Sequence, residues 1–207
     1  MLGVTIAAAG AVDVSAHRRD EYLQAARIAI DPDRVQIELD LTPGIAIADA
    51  ILDDIDRNRD GELSAGEQQT YASLVVAALT LDVDGTPLRM QLEGASVPRI
   101  DAVKRGEGTI RLQLAAPLPR QSAGPHRLLF RNAHSRERSV YLANALVPRS
   151  SQVAIVAQRR DVDQTELAID YVVVGVLHRS VNAWLLASIA VAVVLSALLI
   201  RPLRSLR

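Results

Sequence analysis

The chain has 207 residues, a formal net charge of −1, no cysteine and only 3% aromatic residues. That length suits one domain of good size. The charge balance and the shortage of aromatics exclude a nucleic-acid partner held by a basic field or a stacking platform, and the missing cysteine excludes disulfides, thiolate metal sites and a cysteine nucleophile.

At the N-terminus, residues 2–12, LGVTIAAAGAV, are almost wholly apolar, and Val14-Ser15-Ala16 comes next with small residues suited to cleavage after Ala16. This predicts a secretory signal over 1–16. No Lys or Arg follows Met1, which leaves a start farther upstream or an ordinary buried strand as the competing readings.

Strands come next. YLQAARIAI (22–30) is a candidate, and RVQIELDL (34–41) alternates strictly, with Val35, Ile37, Leu39 and Leu41 on one side. Asp31-Pro32-Asp33 is the turn between them. Thr42-Pro43 then reads as a helix start, Thr42 the cap and Pro43 the first helical residue. Ile45, Ala48, Leu52 and Ile55 continue with the 3.6 period. After a polar stretch, Tyr71, Leu74, Val75, Ala78 and Leu79 mark one face of a second helix. The segment 42–80 is thus a helix pair inserted between strands.

The polar stretch between those helices is DRNRDGELSAGE, residues 56–67. Calcium prefers six to eight hard oxygens, and a short loop between helices supplies them at alternate positions. With Asp56 as position 1, Asn58 and Asp60 fall at 3 and 5 and Gly61 at the sharp turn. Glu62 then offers its backbone carbonyl, Ser64 can hold a water, and Glu67 at position 12 can bind through both oxygens. The pattern resembles the EF-hand calcium-binding family over residues 45–79. The resemblance implies a calcium site formed by Asp56, Asn58, Asp60, Glu62, Ser64 and Glu67. Ser64-x-x-Glu67 read alone would be a capping box that starts the second helix. No second such loop is found: Asp82-Val83-Asp84-Gly85 and Asp161-Val162-Asp163 read better as strand ends. Arg57 and Arg59 dilute the negative charge, so the expected affinity is weak, about 10⁻⁴–10⁻³ M, and the ion is expected to act as a brace.

Beyond the insert, LTLDV (79–83), PLRMQL (87–92), TIRLQL (109–114), HRLLFR (126–131), SVYLANALV (139–147), VAIVAQ (153–158) and ELAIDYVVV (166–174) read as strands. Asp84-Gly85 is a two-residue hairpin signal, and Arg105-Gly106-Glu107-Gly108 is another turn. Short strands at this spacing predict a mainly β fold, an antiparallel immunoglobulin-like β-sandwich carrying the inserted EF-hand helix-loop-helix and a C-terminal transmembrane helix.

Residues 181–200, VNAWLLASIAVAVVLSALLI, carry no charge. Twenty helical residues span about 30 Å, the thickness of the hydrocarbon core. Arg201, Arg204 and Arg207 come after it and place the tail 201–207 in the cytoplasm. Residues 17–180 would then form an extracytoplasmic domain, periplasmic or extracellular, on a single span.

The histidines are His17, His126, His134 and His178. After cleavage His17 would be the first residue, and its amine and imidazole could chelate copper or nickel, with His134 a further ligand. The bland alternatives are a free terminal residue and a solvated turn. None of the nucleophile-elbow, zinc-protease, phosphate-loop or dinucleotide motifs is present, so a binding role is expected and no catalytic residues are assigned. The run HRRDEYLQAARIAIDPDRVQIELDLTPG, together with the inserted helices and the sandwich strands after it, looks like exported bacterial domains found with, or fused to, nickel/cobalt-type metal permeases. That resemblance implies an envelope accessory of a membrane partner and, as an alternative function, handling of a transition metal such as nickel, cobalt or copper.

Overall fold

The structure is a computed structural model, and it describes residues 20–174. The leader at 1–16, His17, His178, the apolar run 181–200 and the basic tail lie outside these residues. Among the described residues no helix is long and apolar enough to cross a membrane.

Within the described residues, ten strands form two five-stranded sheets. In chain order they are β1 (Tyr22–Ile30), β2 (Arg34–Pro43), β3 (Leu79–Val83), β4 (Thr86–Pro87), β5 (Gln91–Ser96), β6 (Ile110–Pro117), β7 (Gly124–Asn132), β8 (Ser139–Ala145), β9 (Val153–Arg160) and β10 (Glu166–Val173). One sheet runs β5-β6-β2-β1-β8 and the other β4-β3-β7-β10-β9. Every pairing among them is antiparallel except β1 with β8.

The alternation in the sequence decides which face is buried. Val35, Ile37, Leu39 and Leu41 all point inward, as do Ile110, Leu112 and Leu114 on β6 and Leu167, Ile169 and Tyr171 on β10. They meet in one core fed by both sheets, a β-sandwich. A strand's side-chain period of two leaves no other way to bury such a set. The β3–β4 hairpin turns through Asp84 (φ 51°) and Gly85 (φ 78°). Two consecutive positive φ values suit the right-handed twist of the strands, and Asp-Gly tolerates them.

Three expectations are corrected. Thr42 and Pro43 do not start a helix. They end β2, where Pro43 lies opposite Tyr22 and the Thr42 hydroxyl bonds that of Thr109 at 2.9 Å. Proline's missing donor is tolerated at a strand end, so the helical stretch begins later, in a 3-10 turn at Ile45–Ile47 that leads into α1 (Ala48–Ile55). PLRMQL is not one strand: β4 stops at Pro87 and β5 begins at Gln91 in the other sheet. A short helix, α3 (Ile100–Lys104), stands in the segment before β6, where no element is predicted.

The second helix of the pair, α2 (Ala65–Ala77), leads into β3. Ile51, Ile55, Tyr71, Ala72 and Val75 join the main core. Ala48 and Leu52 form a small satellite cluster with Val103 of α3. Ile45 and Leu74, both counted on apolar faces from periodicity, are exposed, and Leu79 belongs to β3.

The registers also fix the two ends of the sandwich. At one end lie Tyr22, Pro43, Leu79, Asn132, Ser139 and Glu166, and the helices attach there. At the other lie Ile30, the Asp84-Gly85 turn, Gly124, Val153 and Val173.

Candidate metal centre

Packing anchors both ends of the polar loop. Ile55, the last residue of α1, is fully buried, and the Asp56 N–H closes the helix on the Leu52 carbonyl at 2.7 Å. At the far end Leu63 is partly buried against the core, and Ser64 caps α2. The cap is reciprocal. The Glu67 N–H donates to Ser64 Oγ at 3.3 Å, while the Ser64 N–H and hydroxyl donate to Glu67 Oε2 at 3.0 and 2.7 Å. Two backbone N–H groups at the helix end are satisfied this way.

Between these anchors the acidic side chains fold over the backbone. Asp56 Oδ1 accepts the Asp60 N–H at 3.2 Å and Oδ2 the Gly61 N–H at 3.0 Å. Asn58 Oδ1 accepts the Asp60 N–H at 3.1 Å, and Asp60 Oδ1 accepts the Glu62 N–H at 2.8 Å. The Asn58 amide donates to Asp60 Oδ2 at 2.8 Å. Glu67 closes the loop across its width: Oε1 accepts the N–H groups of Arg57 and Asn58 at 3.0 and 3.4 Å. Arg59 (φ 58°) and Gly61 (φ 81°) make the tight bends. A side chain added at Gly61 would meet no neighbour, so only its left-handed backbone favours glycine there.

The Ser64 hydroxyl and N–H, helped by Asn58 and Arg57, hold the Glu67 carboxyl below its ordinary value. Hydrogen bonds to the ionised form favour it, so Glu67 is an anion over a wide pH range. Each oxygen of Asp56 accepts one N–H, which leaves a second lone pair on each.

Asp56, Asn58, Asp60 and Glu67 therefore share one hydrogen-bonded ring. Glu62 adds its N–H to that ring, and Ser64 acts in the cap. The donor set is all hard oxygen, which fits calcium and suits neither copper nor nickel. Even so, among the described residues no group of three or more His, Cys, Asp or Glu side chains stands arranged to hold a metal. The ring is closed by backbone N–H groups.

The histidines depart from expectation. His134 is not a solvated turn residue; it is 5% exposed. Its Nε2 lies 3.2 Å from the Tyr71 hydroxyl, which lies 2.6 Å from that of Tyr22. Burial pushes His134 down to about 4 and Tyr71 up to about 12. The backbone carbonyl of His134 accepts from Gln24 Nε2 at 2.9 Å and the Tyr141 hydroxyl at 2.7 Å. Arg138 and Asp54 of α1 pair at 3.1 Å close to this network. Periodicity did hold one clue. Gln24 shares the inward register of Tyr22, Ala26 and Ile28, so a polar side chain was bound for the interior and needed partners there.

At the other end of the sandwich, His126 Nδ1 lies 2.7 Å from Asp84 Oδ2 and its Nε2 lies 2.9 Å from the Ser122 carbonyl. Both partners only accept, so the doubly protonated, cationic imidazole is the form that makes both bonds. The bond to Asp84 and then that to Ser122 raise its pKa.

The chain matches no protein-family model and no curated protein.

Proposed function

We propose that this chain is a membrane-anchored, extracytoplasmic calcium-binding module with a binding or scaffolding role. In this reading the sandwich is of the immunoglobulin-like kind and the helix pair is a single EF-hand-type insert. One observation carries it: four oxygen-bearing side chains at positions 1, 3, 5 and 12 of the loop are drawn into one ring of bonds of 2.7–3.4 Å. A mere helix cap needs Ser64 and Glu67 alone. Asp56, Asn58 and Asp60 have no part in capping α2, yet each accepts a backbone N–H of the same loop. When bound, calcium would replace the repulsion among these carboxylates with attraction.

The span at 181–200 supplies the anchor, and the likeness to permease-associated exported domains points to a membrane-protein partner. A transition-metal role would rest on His17; His134 is committed to Tyr71.

The test is calorimetric titration of the full chain in detergent with calcium. We expect one site with Kd of about 10⁻⁴–10⁻³ M. Glu67→Gln should abolish the heat and keep the fold, because glutamine also serves at the third position of a capping box. Equal heat from the variant would refute the assignment.

A further inference from the structure

We infer that the loop Leu146–Gln152 is a lipid-contacting tip that seats the sandwich end-on against the bilayer surface, with the candidate cation loop held at the far end. The inference rests on the anchor proposed above. Val147 is 89% exposed, and Leu146 and Val174 also present apolar surface to solvent. Single exposed apolar residues are ordinary. Here, however, three of them gather where β10 ends. The Val174 N–H donates to the Gln152 carbonyl at 2.8 Å, so the loop is tied to the last described residue of the chain. The Leu146 N–H donates to the Ile28 carbonyl at 2.7 Å and fixes the other side of the loop.

The apolar run begins at residue 181. Six intervening residues reach at most about 20 Å when extended, so the tip cannot stand far from the lipid. Its chemistry suits that place. The segment LVPRSSQ contains no carboxylate and its one charge is Arg149, whereas the carboxylates of this end, Asp31, Asp33 and Asp84, belong to the neighbouring turns. An arginine can lay its stem on apolar surface and keep its guanidinium among phosphates. β10 has eight residues and so spans about 26 Å. The cation loop, attached at the opposite end, is then presented away from the membrane, toward whatever it meets in the extracytoplasmic space.

The chain has no cysteine, so single labels are unambiguous. The full chain is reconstituted into phosphatidylcholine vesicles, with and without phosphatidylglycerol, carrying an environment-sensitive dye at Val147→Cys or at Val162→Cys. Val162 is a fair control: it is fully exposed and lies in the turn between β9 and β10 at the end bearing the helices. Both substitutions are at exposed positions and leave the core intact. The expected result is blue-shifted emission and quenching by nitroxide lipid at Val147 only. If the protein floats with the vesicles but Val147 is as wet as Val162, the tip assignment falls and the anchor stands. If both positions are quenched, the sandwich lies flat and the end-on seating is wrong. If the chain does not float with vesicles, the anchor reading fails and this inference fails with it.

Discussion

His134 and His126 are the same residue type placed in opposite electrostatic settings. His134 is buried and neutral, with its pKa lowered to about 4. Below its ordinary value of 6.5 the unfolded chain takes up a proton that the folded one refuses, so stability falls as pH drops from 6.5 toward 4. At about 1.4 kcal/mol per unit the loss reaches on the order of 3 kcal/mol. His134→Gln should flatten this acid limb in urea unfolding followed from neutral to acid pH. An unchanged limb would mean that another group carries it. His126 has the other sign. Its pKa is raised, so its contribution is complete below 6.5 and is lost as pH rises through the higher folded value. Partial burial pushes Asp84 up, but the bonds from His126 and the Arg127 N–H outweigh it and hold the carboxyl below its ordinary value. The pair therefore stabilises between those two limits. His126→Gln should remove an alkaline decline in the unfolding midpoint and leave the acid limb intact.

α2 shows how a surface helix is fixed to a sandwich. Its N-terminus is set by the capping box and its interior by Tyr71, Ala72 and Val75. Tyr71 then reaches β1 through Tyr22 and the β7–β8 corner through His134. Tyr22, Tyr71 and His134 thus form one buried chain of hydrogen bonds with the Tyr71 hydroxyl at its centre. Tyr71→Phe keeps the ring and breaks this chain in the middle, which leaves a buried hydroxyl and a buried ring nitrogen without partners. The expected cost is about 1–3 kcal/mol in denaturant unfolding. A loss near zero would show that the three groups do not act together. The same element carries Glu67 on its first turn, so the orientation of the candidate calcium ligand depends on the tyrosine contact one turn later.

At the scale of the whole molecule, the helix pair is the covalent bridge from one sheet to the other, between β2 and β3. The ion proposed at residues 56–67 would tie α1 to α2 and brace that crossing. A ligand that binds only the folded chain stabilises it by mass action, by about 1.4 kcal/mol at roughly tenfold over Kd. Calcium should therefore raise the thermal midpoint of the full chain, and a chelator should return it to the metal-free value. Glu67→Gln should respond to neither. An identical midpoint with and without calcium would remove the bracing role.

Much of this was legible along the chain. Strict alternation in RVQIELDL and TIRLQL determined which residues form the inner face, because a strand offers its side chains only two sides. Asp84-Gly85 determined a hairpin, because few residue pairs accept two positive φ angles. The capping box of Ser64 and Glu67 could be read from spacing alone, since it is local and closes within four residues. Other features needed the assembled fold. Thr42 and Pro43 became a strand end because β1 offered pairing partners as far as Tyr22, and that offer outweighed local helix-start preferences. The parallel placement of β8 beside β1 joins segments more than a hundred residues apart, and no period within either one encodes it. The burial of His134 followed from that placement, which brings the corner before β8 over Tyr22 and Gln24. Local chemistry is written in neighbouring residues, whereas a partner across the sandwich exists only once the backbone bonds of both sheets have been formed.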